Sequence, residues 1–197
     1  GIQLITNYKF LLPGMNSILI IGLGNPGEKY RNHRHNIGQR IVQEYGEKFS
    51  QEKFNNNPKL SASLKTVNQN SQKIILALPL TFMNNSGEAA KKIKSFFKIK
   101  TENIIIVRDD IDLEFGKIRI KKDSSSGGHH GIDSIIENLK TKKFTQIKIG
   151  IKSEYKIPKE KIPDFVISDF NRKEKKELPR IIESAIKTLD LIAQSPR

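Results

Sequence analysis

Ile18 to Ile21 is an unbroken apolar run closed by Gly22, and so short a run without polar alternation fits a strand buried on both faces. Strands of that kind sit in sheets covered above and below, so the chain must also supply covering helices. The next segment does so. Ile37, Ile41, Val42, Tyr45 and Phe49 recur at helical spacing and form one apolar stripe. Ile104 to Val107 repeats the buried-strand pattern and delivers Asp109, Asp110 and Asp112 to its carboxyl end, where open α/β sheets collect their ligand sites.

The remaining elements follow from pattern and turn residues. Asn55 to Pro58 reads as a loop, and Leu60–Val67 with Lys73–Leu78 as a hairpin about a polar turn near Asn68. Ser86 is expected to cap a helix burying Ala89, Ala90, Ile93, Phe96 and Phe97. Lys117 to Lys121 alternates basic and apolar residues, which predicts a strand with one basic solvent face. Ile132, Ile135, Ile136 and Leu139 mark another helix, Gln146–Ile151 a last strand, and Ile181, Ile182, Ala185, Ile186, Leu189 and Ile192 a final helix. The lysine-rich stretch from Lys152 to Asp164 reads as a solvated loop, with a mobile flap as the alternative.

Composition points to the partner. The 197 residues suit one domain, and a net charge of +14, from 35 Lys and Arg against 21 Asp and Glu, creates a field that attracts polyanions, nucleic acid first among them. The absence of cysteine excludes disulfides, thiolate zinc sites and sulfur redox chemistry. No apolar run approaches the roughly 18 residues that span a bilayer, and the first residues lack a signal peptide's basic start and apolar core, so a soluble cytoplasmic protein is expected. Residues 1–14 end in Pro13-Gly14 before Met15 and are expected to be an N-terminal extension, or residues carried over from expression, outside a single domain over 15–197.

All 4 histidines fall in two glycine-bracketed clusters, His33 with His35 and His129 with His130, which places the side chain best suited to proton transfer near neutral pH where substrate can approach the backbone. Three chemistries compete. Gly22-Leu23-Gly24-Asn25-Pro26-Gly27 matches a dinucleotide fingerprint, but Pro26 and the charged stretch to Arg34 postpone the helix, and Glu44 and Glu47 fall inside it. Histidines with Asp109, Asp110 and Asp112 supply plausible metal ligands. Alternatively, one neutral imidazole activates water while a buried aspartate fixes its tautomer.

Longer motifs decide further. Gly22-Leu23-Gly24-Asn25-Pro26-Gly27-Glu28-Lys29-Tyr30 with Arg34-His35-Asn36-Ile37-Gly38 closely resembles the signature of bacterial peptidyl-tRNA hydrolases. Thr81-Phe82-Met83-Asn84-Asn85-Ser86-Gly87, Asp109-Asp110-Ile111-Asp112-Leu113 and Ser126-Gly127-Gly128-His129-His130-Gly131 agree in order, so the resemblance covers the chain from about Ser17 onward. It implies a single monomeric α/β domain with a twisted mixed central sheet flanked by helices on both faces. It also implies hydrolysis of the ester between a peptide and the 3′ end of tRNA, with no metal or organic cofactor and no membrane.

By motif position, the resemblance makes His35 the general base, Asp109 the carboxylate behind it, and Asn25 the reader of a blocked α-amine and partner of the oxyanion. Asn84 is implied to bind substrate near the ester, Phe82 and Met83 to form an apolar wall, and Tyr30 to stack on the terminal nucleotide. Arg119, Lys121 and Lys148 are implied to contact the phosphates of the acceptor stem. Three residues depart from the pattern. His130 stands where the family carries an asparagine, His33 replaces a common threonine, and Gln146 stands where a basic residue is frequent, which is expected to weaken acceptor-stem binding. These departures leave open a protein of the same fold that binds structured RNA without hydrolysing it.

Overall fold

The computed structural model describes residues 17–70 and 72–194. The expectations for residues 1–14 and Met15 lie outside the described residues. The elements in chain order are β1 (Ser17–Gly22), α1 (Ile37–Glu47), β2 (Asn55–Asn57), β3 (Ala62–Gln69), β4 (Gln72–Pro79), α2 (Ser86–Phe96), β5 (Ile104–Glu114), β6 (Ile118–Lys122), α3 (His130–Leu139), β7 (Thr145–Lys152), α4 (Ile162–Val166) and α5 (Arg172–Gln194). All seven strands join one sheet in the order β2-β3-β4-β1-β5-β7-β6.

β1 lies at the centre, parallel to β4 on one side and to β5 on the other, and β5 pairs parallel with β7. The antiparallel pairings of β2 with β3, β3 with β4, and β6 with β7 make the sheet mixed. Alternation along β1 divides the core. Ile18 and Ile20 pack with Ile41 of α1 and with Ile182 and Leu189 of α5, whereas Leu19 and Ile21 pack with Ala90 and Ile93 of α2 and with Ile135 of α3. Helices therefore cover both faces, and each fully buried β1 side chain contributes about 1.5–3 kcal/mol of apolar transfer.

Several sequence expectations need correction. Asn55–Asn57 is a short edge strand, paired with Ala62–Leu64, because the Asn57 side chain accepts from Leu60 N–H and folds the chain back through a single helical turn. Ser86 does not cap α2; it is already helical, and its hydroxyl donates to the Met83 carbonyl at 2.9 Å, since a turn at Met83–Asn85 runs directly into the helix. Phe96 is 65% exposed, so the apolar stripe of α2 ends at Ile93 and resumes at Phe97. Ile120 on β6 is likewise half exposed, because β6 is an edge strand whose apolar side is only partly covered.

β5 runs on to Glu114, past the aspartates expected at its end. Its pairing with β1 nevertheless stops at Gly22 opposite Val107, so Asp109 stands just beyond the carboxyl edge of the central strand. The stretch expected to be a solvated loop ends in α4, which packs on the turn that carries His35.

Candidate active site

The loop after β1 is held by side chains that imitate backbone pairing. Asn25 N–H donates to Asn36 Oδ1 at 3.0 Å and Asn36 Nδ2 donates to the Asn25 carbonyl at 2.8 Å. Asn25 Oδ1 in turn accepts from the Met83 N–H at 2.8 Å. Because a backbone amide can only donate, this contact fixes the carboxamide orientation and leaves Asn25 Nδ2 as a free donor.

Asp109 is buried and is the hub of the site. His35 Nδ1 lies 2.9 Å from each of its carboxylate oxygens, and His129 Nε2 lies 3.1 Å from Oδ1. His129 caps α3: its Nδ1 accepts from the N–H groups of Gly131 at 3.1 Å and Ile132 at 3.3 Å, so its single proton is on Nε2 and is donated to Asp109. His35 correspondingly donates through Nδ1, which leaves Nε2 with a lone pair.

Electrostatics follow from this arrangement. Burial disfavours the His35 imidazolium, but the charge and hydrogen bond of Asp109 outweigh it, so the pKa is raised above its ordinary 6.5. Burial dominates at His129, whose pKa is lowered despite the same carboxylate. Burial alone would raise the pKa of Asp109; the positive charge of His35, the interaction with His129 and their hydrogen bonds reverse this and hold it far below its ordinary 3.8. The carboxylate stays ionised, one imidazole stays neutral, and the other is poised to take a proton.

A cavity of about 620 Å³ collects Asn25, His35, Asn84, Asp109 and His130 on one side and Phe82 and Met83 on another. Ile111, the α4 residues Ile162, Pro163 and Val166, and Ile167 just beyond it complete an apolar wall. Tyr30 stands at the rim, its ring edge-on to Phe82 with centroids 6.2 Å apart. Arg119 and Lys121 are exposed on β6, away from the cavity lining, with Arg119 opposite Lys148 in the β6–β7 register. Lys148 itself is mostly buried, and its ammonium lies 3.1 Å from Asp110 Oδ2. A larger groove of about 940 Å³ between α1 and α5 contains none of the four histidines.

Gln146 does not face solvent at all. It is fully buried, accepts from Arg108 Nε and Nη2 at 3.2 Å, and donates to the carbonyl and hydroxyl of Ser124 at 3.0 Å. Arg108 also donates to the carbonyls of Asp109 and Ser126, so the pair anchors the serine-rich loop that leads to His129. At position 146, where the sequence suggested a lost surface contact, the side chain is an internal anchor. Asn36, Arg108 and α4 are site components that the sequence reading did not name, though Asn36 stands in a quoted motif; His129 was named within its cluster without its capping role, and Gln146 only as a departure from the pattern.

His35, Asp109 and His129 also form the one group, among the described residues, whose ligand atoms lie within 4.8 Å of one another as a metal site requires. The ring nitrogens facing Asp109 are nevertheless at direct hydrogen-bonding distance from its oxygens, and the other nitrogen of His129 already accepts from the α3 amides, so the three side chains satisfy one another without an ion. The donor set fits a proton relay better than a cation.

The chain matches the family model described as peptidyl-tRNA hydrolase over residues 19–196. It is 39% identical over 174 residues to a peptidyl-tRNA hydrolase of Clostridium botulinum, covering 88% of each chain. It is 48% identical over 139 residues to one of Prochlorococcus marinus, covering 71% of this chain and 69% of that one. The crystal structure of peptidyl-tRNA hydrolase from Acinetobacter baumannii superposes with a TM-score of 0.84 at 31% identity, over 92% of this chain and 90% of that one.

Proposed function

The chain belongs to the peptidyl-tRNA hydrolase family, and from that premise we propose that it hydrolyses the ester joining a peptide, or an N-blocked amino acid, to the 3′ end of tRNA. The observation that carries the mechanism is the His35–Asp109 pair, which leaves Nε2 as the free base. Nε2 takes a proton from water as the water oxygen attacks the ester carbonyl. Asn25 Nδ2 donates to the oxyanion or to the neighbouring peptide carbonyl. Collapse breaks the bond to the ribose 3′ oxygen, which receives the proton from His35, and frees tRNA and a peptide carboxylic acid that gives its own proton to solvent. Because the available Asn25 atom is a donor, it pairs with an amide carbonyl and offers nothing to a free ammonium. That supports selection for blocked substrates.

Asn84 and His130 hold substrate near the ester, Phe82 and Met83 supply the apolar wall, and Tyr30 stacks on the terminal nucleotide. Arg119 and Lys121 contact phosphates of the acceptor stem, while Lys148, already neutralised by Asp110, contributes by positioning. No helix among the described residues is long and apolar enough to cross a membrane. The proposed setting is a monomer in the cytoplasm, and sedimentation near 22.4 kDa tests the first part.

The test is release of N-acetyl-aminoacyl groups from tRNA by the purified chain in chelator, with unblocked aminoacyl-tRNA as control. Release from the blocked substrate alone is expected. No release would sink the hydrolase, and release abolished by the chelator would move the chemistry to a metal. Two variants refine the reading. In Asp109→Asn the carboxylate that raises the His35 pKa is gone and burial dominates, so the midpoint of the kcat/KM profile moves from above 6.5 to below it, with the plateau falling about 10²–10⁴-fold. An unmoved midpoint would contradict the pairing. His130→Asn restores the family side chain and is expected to preserve or raise activity. A loss beyond about tenfold would show that His130 has a role of its own.

A further inference from the structure

We infer that Arg34 is a positioning residue that pins α4 beside the cavity and thereby sets how tightly substrate is held. The inference rests on the hydrolase reading. The Arg34 side chain is only 6% exposed, yet its guanidinium bonds to residues more than a hundred positions away. Nη1 donates to Ser168 Oγ at 2.7 Å and to the carbonyls of Ser168 at 3.2 Å and Asp169 at 2.5 Å; Nη2 donates to Glu174 Oε2 at 2.6 Å. The guanidinium carbon lies 4.3 Å from the ring centre of Phe165 and 5.3 Å from that of Phe170. Ser168 Oγ donates onward to the Phe165 carbonyl at 2.7 Å, which ties the end of α4 into the same cluster.

This cluster joins two parts of the active site. Arg34 immediately precedes His35, and the helix it grips supplies Ile162, Pro163 and Val166 to the apolar wall, with Ile167 just beyond. On its other side α4 is weakly held. The approach to it is bonded chiefly to itself, Tyr155 N–H to Ser153 Oγ and Lys161 N–H to the Pro158 carbonyl, and an exposed Glu154–Lys173 pair links it to α5. Besides the packing of Phe165 and Val166 on the core, the wall is therefore held in place by the Arg34 cluster. Asp109, not Arg34, sets the chemistry of His35, so loosening the wall weakens substrate binding while leaving the base intact.

Lysine at position 34 keeps the charge but cannot span these acceptors. For Arg34→Lys, KM for N-acetyl-aminoacyl-tRNA is expected to rise about tenfold or more, with kcat within about threefold and the pH midpoint unmoved. In the absence of substrate, amides of 162–168 should exchange with solvent at least about tenfold faster. A cross-link supplies the rescue. His33 and Asp169 form an antiparallel bridge, and because Arg34 N–H bonds the Ser168 carbonyl they occupy a non-hydrogen-bonded pair. In such a pair Cα atoms lie about 4.5 Å apart, within disulfide range, and the chain has no other cysteine to interfere.

Oxidised His33→Cys/Asp169→Cys in the Arg34→Lys background should return KM to within about threefold of the same cross-link with Arg34 present, and reduction should abolish the rescue. An unchanged KM, a loss confined to kcat with a shifted midpoint, or an oxidised cross-link that leaves KM high would each overturn the inference. Should Arg34→Lys not fold, Glu174→Gln removes one charge from the cluster and carries the same test, with KM raised about two- to fivefold expected and no change counting against. An inactive wild type would count against the hydrolase reading, whereas unchanged amide exchange in the variant counts against the role of Arg34.

Discussion

With His35 replaced by alanine, hydrolysis of N-acetyl-aminoacyl-tRNA falls about a thousandfold in kcat, or about 4 kcal/mol of barrier, while KM stays within about threefold. The expectation follows from the geometry. Both oxygens of Asp109 are committed to histidine nitrogens, and of these two histidines His35 retains a ring nitrogen without a partner, since His129 spends Nδ1 on the α3 amides and Nε2 on the carboxylate. His129 therefore cannot substitute as base. It does keep Asp109 partly paired in the variant, so the fold should survive and substrate should still bind. Burst-free steady-state kinetics on a preparation with wild-type thermal stability would check this. Equal activity in wild type and variant would remove His35 from the mechanism.

Gly38→Ala is expected to lower folding stability by about 3 kcal/mol or more, and to reduce activity in whatever fraction still folds. A Cβ at Gly38 would lie 2.2 Å from the Val107 carbonyl oxygen and 3.0 Å from the Leu23 amide nitrogen, both backbone atoms that hydrogen-bond each other at 3.0 Å. Neither can move without parting β1 from β5. Relief by shifting α1 would drag its preceding turn, and with it His35, away from Asp109. Gly127→Ala is the contrasting case: nothing lies within 4 Å, and only its φ of +62° opposes a side chain, so about 1 kcal/mol is expected. Urea unfolding of the two variants measures the difference. A Gly38→Ala protein within about 1 kcal/mol of wild type would show that α1 adjusts where this packing says it cannot.

The site was legible where residue type and motif carry the chemistry. Asn25, His35 and Asp109 can each be named before any coordinates, because they stand in long motifs whose resemblance to the family implies a donor amide, a general base and its carboxylate. The second histidine cluster was not legible in the same way. His129 and His130 are identical in type, and what separates them is torsion: His129 is extended at φ −83°, ψ 108° and folds over the helix N-terminus onto Asp109, while His130 begins the helix and is exposed at the cavity. Likewise Lys148 and Gln146 alternate correctly for a strand, but their strand neighbours Asp110 and Arg108 turn both of them inward.

From sequence alone, then, the buried central strands and the covering helices were determined, because periodicity is a local property of the chain, while the pairing of His35 with Asp109 was expected from the resemblance of their motifs to the family. Which histidine supports the pair, which lysine is already neutralised, and how Arg34 fastens α4 beside His35 were decided only in the tertiary structure. Each depends on a partner brought close by the sheet or by a return of the chain from as far away as Glu174, and such partners leave no trace in the spacing of neighbouring residues.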